Sequence, residues 1–186
     1  MKHFNSSAIL FLAAFVLFSC EVETLDTLEK EPYFDLKGFI EEKIQEVDGA
    51  QVSKTSEIQG EQKQVDVTYS LNDWEKEFNI FTDADINKPS PIQAYETTSS
   101  ADSLVHQLLP NSNEKVKYIK VSYHEGEVSS VSIKVADDNL FYSTTTVAKI
   151  FLDKTTFLLD HYSIETDQKI WFMDANNMKI QGEIVP

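Results

Sequence analysis

The chain has 186 residues and a formal net charge of −15, from 31 acidic and 16 basic side chains, and every basic residue is a lysine. Without arginine it lacks the planar fork that grips phosphates and base edges, and an acidic body has no counterion-release route to a polyanion, so nucleic-acid binding is excluded. With 41% hydrophobic residues there is enough apolar material for one core, and a single cysteine excludes a disulfide framework within the chain.

Met1-Lys2-His3 opens the chain, and an uncharged apolar run from Ala8 to Phe18 ends in Ser19-Cys20. A positive start, an apolar stretch and a small residue before a cut form a secretory signal. The run is shorter than the ~20 apolar residues a membrane-spanning helix needs, and acidic rather than basic residues follow it. Leu17-Phe18-Ser19-Cys20 resembles the lipobox of bacterial lipoproteins, with Phe18 bulkier than the usual residue at its position. The resemblance implies that residues 1–19 are a lipoprotein signal peptide removed on export. It also implies that Cys20 is the lipid attachment site, carrying palmitate-type acyl chains. One acyl chain anchors marginally, whereas several anchor stably. Loss of residues 1–19 removes one lysine and no acid, leaving −16. Such a body is repelled by anionic headgroups, so the acyl chains must hold it. Residues 20–32 read as an acidic tether with Glu21, Glu23, Asp26 and Glu29, and residues 33–186 as a single domain.

From Asp35 the pattern is helical. Leu36, Phe39, Ile40, Ile44 and Val47 recur at spacings of three and four, with Asp35 as N-cap and Gly49 as C-terminal stop. Two strands, 51–58 and 62–69, follow around a Gln59-Gly60 turn. A second helix starts at Ser70, with Asp73 placed for a capping box and Tyr69 and Trp74 for a hydrophobic staple. It runs along Trp74, Phe78 and Phe81 towards Asn87-Lys88-Pro89-Ser90-Pro91. Strands are then expected at 92–98 and 103–109. A hairpin follows, with Ile119, Val121 and Tyr123 against Val131, Ile133 and Val135 around Glu125-Gly126. After an Asp137-Asp138-Asn139 turn come strands at 140–152, 157–164, 170–173 and 178–184, the last three separated by Thr166-Asp167-Gln168 and Ala175-Asn176-Asn177. Short turns impose antiparallel pairing. The expected class is α+β, with two N-terminal helices packed on one face of a large, curved, mostly antiparallel sheet.

Four stretches, Tyr33-Phe34-Asp35-Leu36-Lys37-Gly38-Phe39-Ile40, Asp85-Ile86-Asn87-Lys88-Pro89, Asn139-Leu140-Phe141-Tyr142-Ser143 and Asp167-Gln168-Lys169-Ile170, carry a wider likeness. Through them, residues 20–186 resemble small uncharacterised lipoproteins of Bacteroidetes-type bacteria. The resemblance implies a lipid-anchored place in the cell envelope of a Gram-negative bacterium, at the outer membrane, and brings no activity with it.

Chemical motifs fail on their spacing. Asp83-Ala84-Asp85-Ile86-Asn87 starts like a calcium loop, but Lys88 stands where glycine makes the turn and Ala94 where a glutamate closes the site. His106, His124 and His161 are far apart, and Val128 replaces the second histidine of a zinc-protease helix after His124-Glu125. Neither metal nor cofactor is expected. The chain contains no Gly-x-Ser-x-Gly elbow. Asp160-His161 are neighbours on an expected strand, which would point their side chains to opposite faces.

The chemistry therefore leans away from an enzyme, with hydrolysis only a third reading. The first reading is a non-catalytic accessory module on the membrane that binds another envelope protein. The alternative is a carrier of lipid or another hydrophobic ligand between sheet and helices. In that case Trp74, Phe78, Phe81 and Trp171 would be its ligand-binding residues, with Phe141, Tyr142, Phe151, Phe157 and Phe172 beside them. Core packing is the competing role for all of these rings.

Overall fold

A computed structural model describes residues 32–89 and 93–185. Cys20, the signal segment, most of the tether, and Ser90, Pro91 and Ile92 lie outside the described residues. The described residues belong to one compact unit. The architecture is α+β, an open antiparallel sheet of nine strands with a few short helices.

In chain order the elements are α1 (Leu36–Glu46), β1 (Gln51–Ile58), β2 (Glu61–Thr68), α2 (Leu71–Glu77), α3 (Asn79–Asp83) and β3 (Tyr95–Ser99). Then come β4 (Ser103–Leu108), β5 (Val116–His124), β6 (Glu127–Asp138), β7 (Tyr142–Leu152), β8 (Leu159–Ile170) and β9 (Asn176–Val185). The strand order is β2-β1-β9-β8-β7-β6-β5-β4-β3. Strands β3 to β9 form a meander in which each pairs with the next. The last strand then pairs with β1, so the hairpin formed first in the chain completes the sheet that begins at β3.

Local chemistry explains the element ends. Asp35 Oδ1 accepts the Gly38 N–H at 2.7 Å and starts α1. Gln59 and Gly60 both have positive φ, 52° and 84°, as a two-residue hairpin turn with the strands' twist requires. The Asp73 carboxylate accepts from the Ser70 N–H at 3.1 Å and from Ser70 Oγ at 2.6 Å, closing the start of α2. These bonds hold the Asp73 carboxyl below its ordinary pKa. Tyr69 meets Trp74 edge-on at 4.8 Å, the staple expected across that cap. The second helix is broken, however. Phe78 leaves helical geometry, and the chain restarts as α3, so the expected two helices are three.

Registers align one apolar face across the sheet. Val52, Tyr162, Ile164, Ala148, Ile150, Val131, Ile133, Ile119, Val121 and His106 share it and are buried. The opposite face carries Thr55, Gln181, Ser163, Lys149, Ser132 and Lys120 in one row. Alternation of this kind is the mark of a sheet covered on one side.

Three strand expectations are corrected. Thr166-Asp167-Gln168 is not a turn. It lies inside β8, paired with Thr146, Thr145 and Thr144, because its residues find partners on both neighbouring strands. The expected strand 170–173 does not form, and Trp171, Phe172 and Met173 sit in the β8–β9 loop. Phe157 has a φ of 56° and belongs to the turn before β8.

Candidate functional site

The rings of the second helical stretch are brought together. Trp74, Phe78 and Phe81 have no exposed surface. Phe78 meets Trp74 at 5.4 Å, Phe81 at 5.5 Å and Tyr162 of β8 at 5.0 Å, all edge-on, the arrangement that ring quadrupoles favour. Trp74 Nε1 donates to the Val47 carbonyl at 3.0 Å, which ties the end of α1 to α2. Trp171, the fourth expected ligand residue, is not among them. It is 72% exposed and its ring partner is Phe141, at 6.4 Å.

Beside the cluster lies a polar group that the sequence did not suggest. Lys54 points to the apolar face of the sheet, where its Nζ donates to Glu77 Oε2 at 2.7 Å and to Tyr69 Oη at 3.1 Å. The other carboxylate oxygen, Glu77 Oε1, accepts from the Tyr162 hydroxyl at 2.8 Å. Burial works against the Lys54 ammonium, yet the bonds and charge of Glu77 and Tyr69 outweigh it and hold its pKa above the ordinary value. Burial, followed by the Glu77 charge, pushes the Tyr162 phenol far up. Lys54 Nζ and both carboxylate oxygens of Glu77 are thus engaged with one another and with the two phenols, and the group acts as a structural clamp between sheet and helix. No sequence signal links Lys54, Glu77 and Tyr162, because the sheet register brings Lys54 and Tyr162 together across Gly182 and the packing of α2 adds Glu77.

The three histidines among the described residues occupy three environments. His106 is buried on β4, with Nε2 accepting the Phe34 N–H at 3.1 Å and Nδ1 2.9 Å from Thr97 Oγ1. Nδ1 therefore carries the proton and donates to Thr97. Burial holds the pKa of His106 below the ordinary histidine value. His124 ends β5 at the surface. His161 corrects the expectation drawn from strand alternation. Its Nδ1 lies 2.7 Å from Asp160 Oδ2. The β7–β8 register slips between Phe151 and Leu152, so Asp160 is the extra residue of a bulge, and a bulge re-aims the side chain beside it.

On its β6 side this pair does not reach a nucleophile. Ser130, Phe151 and His161 stand opposite one another on β6, β7 and β8, which puts the serine two strand spacings, about 9–10 Å, from the imidazole. The Phe151 ring fills the gap, stacked on His161 at 4.4 Å. Nor do the calcium-like residues converge on a cation. Asp85 Oδ1 accepts the Asn87 N–H, and Asn87 in turn accepts the Tyr33 N–H and donates to the Phe34 carbonyl. They latch the start of the domain. Among the described residues no group of three or more His, Cys, Asp or Glu is placed to hold a metal ion.

The exposed apolar residues are concentrated in two loops. In the β6–β7 loop Leu140 is 88% and Phe141 61% exposed, and in the β8–β9 loop Phe172 is 83% exposed with Met173 beside it. The loops are tied to each other, because the Trp171 N–H donates to the Phe141 carbonyl at 2.9 Å. Asn139 Oδ1 accepts the N–H groups of Phe141 and Tyr142 and fixes the first loop. Phe141, Tyr142, Ile170 and Phe172 line a shallow, open apolar hollow. The signal for this patch was present in the sequence as a break in alternation. Trp171-Phe172-Met173 is an apolar run of three that no one-sided strand accommodates.

No family model, curated protein or solved structure matches this chain. Among the described residues no helix is long and apolar enough to cross a membrane.

Proposed function

We propose that this chain is a lipid-anchored protein of the Gram-negative cell envelope, attached through Cys20 at the outer membrane. Its body is a non-catalytic accessory module that binds another envelope protein. On this reading α1, α2 and α3 cover one face of a curved sheet and leave its edge free for a partner.

The observation that carries the reading is the open edge at β2. This strand has eight residues, hydrogen-bonds only to β1 among the described residues, and exposes Glu61, Gln62, Lys63 and Gln64 consecutively. Ile58 and Glu61 flank a two-residue turn and form a hydrogen-bonded pair, so the N–H groups of Gln62, Gln64 and Asp66 point away from β1. A row of free N–H and C=O groups accepts an added strand, and Glu61, Lys63 and Asp66 select against indiscriminate pairing. The carrier reading has less behind it, since Trp74, Phe78 and Phe81 occupy the space a ligand would need with one another.

The test is photo-crosslinking in cells from position 62 on β2. One dominant protein adduct is expected, and Gln64→Pro, which deletes an outward N–H and spares the β1 ladder, should abolish it. An adduct spread over many proteins, or one indifferent to Gln64→Pro, overturns edge binding. Acyl labelling of Cys20, lost in Cys20→Ser, tests the anchor separately.

A further inference from the structure

We infer that the paired β6–β7 and β8–β9 loops form a second, non-covalent membrane contact, in which Leu140, Phe141, Trp171 and Phe172 sit in the interfacial layer of the bilayer that holds the acyl chains. The inference rests on the lipid-anchored reading and adds an orientation to it.

Three observations lead there. The first is composition: two phenylalanines, a leucine and a tryptophan protrude from adjacent loop tips, with exposed Met173 next to them in the chain. Tryptophan on a protruding tip suits the interface, where its apolar body and its ring N–H are both satisfied, and the phenylalanines and leucine add apolar area to bury. The second is order. The Trp171–Phe141 backbone bond and the Asn139 side chain hold the loops in shape, so little conformational entropy is lost when the tips dock.

The third is where the tether joins. Tyr33 packs edge-on against Tyr95, the first residue of β3, at 5.8 Å. The Tyr95 hydroxyl donates to the carbonyl of Val116, the first residue of β5. Val116 pairs with Val135 of β6, three residues before that strand ends at Asp138. The chain therefore meets the domain towards the end of the sheet that bears the apolar loops. The eleven residues 21–31 reach at most about 40 Å, so a bilayer holding Cys20 is within range of the tips. The acidic body as a whole opposes approach to anionic lipid. At the tip Lys115 and Lys169 are outnumbered by Asp137, Asp138 and Asp174, and Glu57, Glu165 and Asp167 lie nearby, so attachment is apolar rather than Coulombic.

The chain contains two tryptophans, and they serve as probe and control. Trp74 is buried in the core and Trp171 is exposed. Full-length acylated protein is reconstituted into phosphatidylcholine vesicles, with and without brominated acyl chains. Emission from Trp171, taken as the difference between wild type and Trp171→Ala, should shift to the blue and be quenched by brominated lipid, equally at low and high salt. The double variant Leu140→Asp/Phe172→Asp should stay acylated and vesicle-bound while Trp171 returns to water-like emission. An acylated, vesicle-bound wild type whose Trp171 is water-like and unquenched overturns the tip contact and leaves the anchor standing. Protein without acyl mass on Cys20 overturns the anchor instead. A photo-crosslinker at position 172 that captures a protein in cells rather than lipid also overturns the inference.

Discussion

Gly182 of β9 lies opposite Tyr162 of β8, and the phenol ring covers the glycine where a Cβ would overlap its Cε1 and Cζ atoms. The ring needs this space to lean towards α2, where its hydroxyl reaches Glu77. A residue that normally weakens a strand is therefore what lets the sheet and the α2 clamp meet. Gly182→Ala should destabilise the protein by about 1–3 kcal/mol through overpacking, against a gain of only ~0.4–1 kcal/mol from restricting the unfolded chain. Urea unfolding measures the balance, and an unchanged or raised midpoint would contradict the close approach.

Lys54 and Glu77 are largely buried, with side-chain exposures of 18% and 13%. Breaking such a pair from one side strands the other charge, so Glu77→Gln and Lys54→Met should each cost about 3–5 kcal/mol. The double variant Lys54→Met/Glu77→Leu should recover much of that loss. Equal additive losses in a double-mutant cycle would mean that the two groups are not coupled.

His106 makes stability depend on pH. Its folded pKa lies below the ordinary value of 6.5, so below that value the unfolded chain binds the proton more readily. Its contribution is fully present above the unfolded pKa and is lost as pH falls from 6.5 through the folded pKa. The cause is local, since a protonated Nε2 can no longer accept the Phe34 N–H. His106→Gln keeps an acceptor near that position and removes the titration. Its Tm should fall less than that of wild type between pH 7 and pH 5, and parallel curves would exclude His106 as the group responsible.

The β1–β2 turn offers a stabilising change. Gln59 holds a φ of 52° with a side chain poorly suited to it. Gln59→Asn should raise stability by about 0.5–1 kcal/mol, because asparagine adopts left-handed geometry at lower cost. Gly60→Ala, at a φ of 84°, should lower it by about 1 kcal/mol or more. Thermal melts that rank the two variants the other way would refute the turn assignment.

The Asp160–His161 pair should matter little to the fold. Both side chains are about half exposed, and Asp160→Asn should change stability by less than ~0.5 kcal/mol. A larger loss in denaturant titration would show that the pair supports the bulge.

Local chemistry was legible from residue order alone. The Asp35 cap, the Gln59-Gly60 turn, the Ser70–Asp73 box and the Tyr69–Trp74 staple each depend on residues within five positions of one another, and each forms as expected. So do the two early strands and the β5–β6 hairpin, where alternation is regular. Residue type misled where the neighbouring strands decide the pairing. Thr166-Asp167-Gln168 reads as a turn by composition but lies between two strands that supply partners, and Trp171-Phe172-Met173 reads as a strand but has no apolar face left to join.

What the sequence determined by itself is the chemistry available: an arginine-free, acidic chain with one cysteine, and the local signals for antiparallel hairpins. Only the tertiary structure decided which distant groups meet. The pairing of β9 with β1 brings residues from opposite ends of the domain together, and with them the Lys54–Glu77–Tyr162 clamp and the glycine beneath the ring. Tertiary packing likewise buried Trp74, Phe78 and Phe81 while leaving Trp171 in water, although all four are equally apolar in a sequence. The reason is physical. Caps and turns are set by bonds within a few residues, whereas burial and pairing depend on register, and register is a property of the whole sheet.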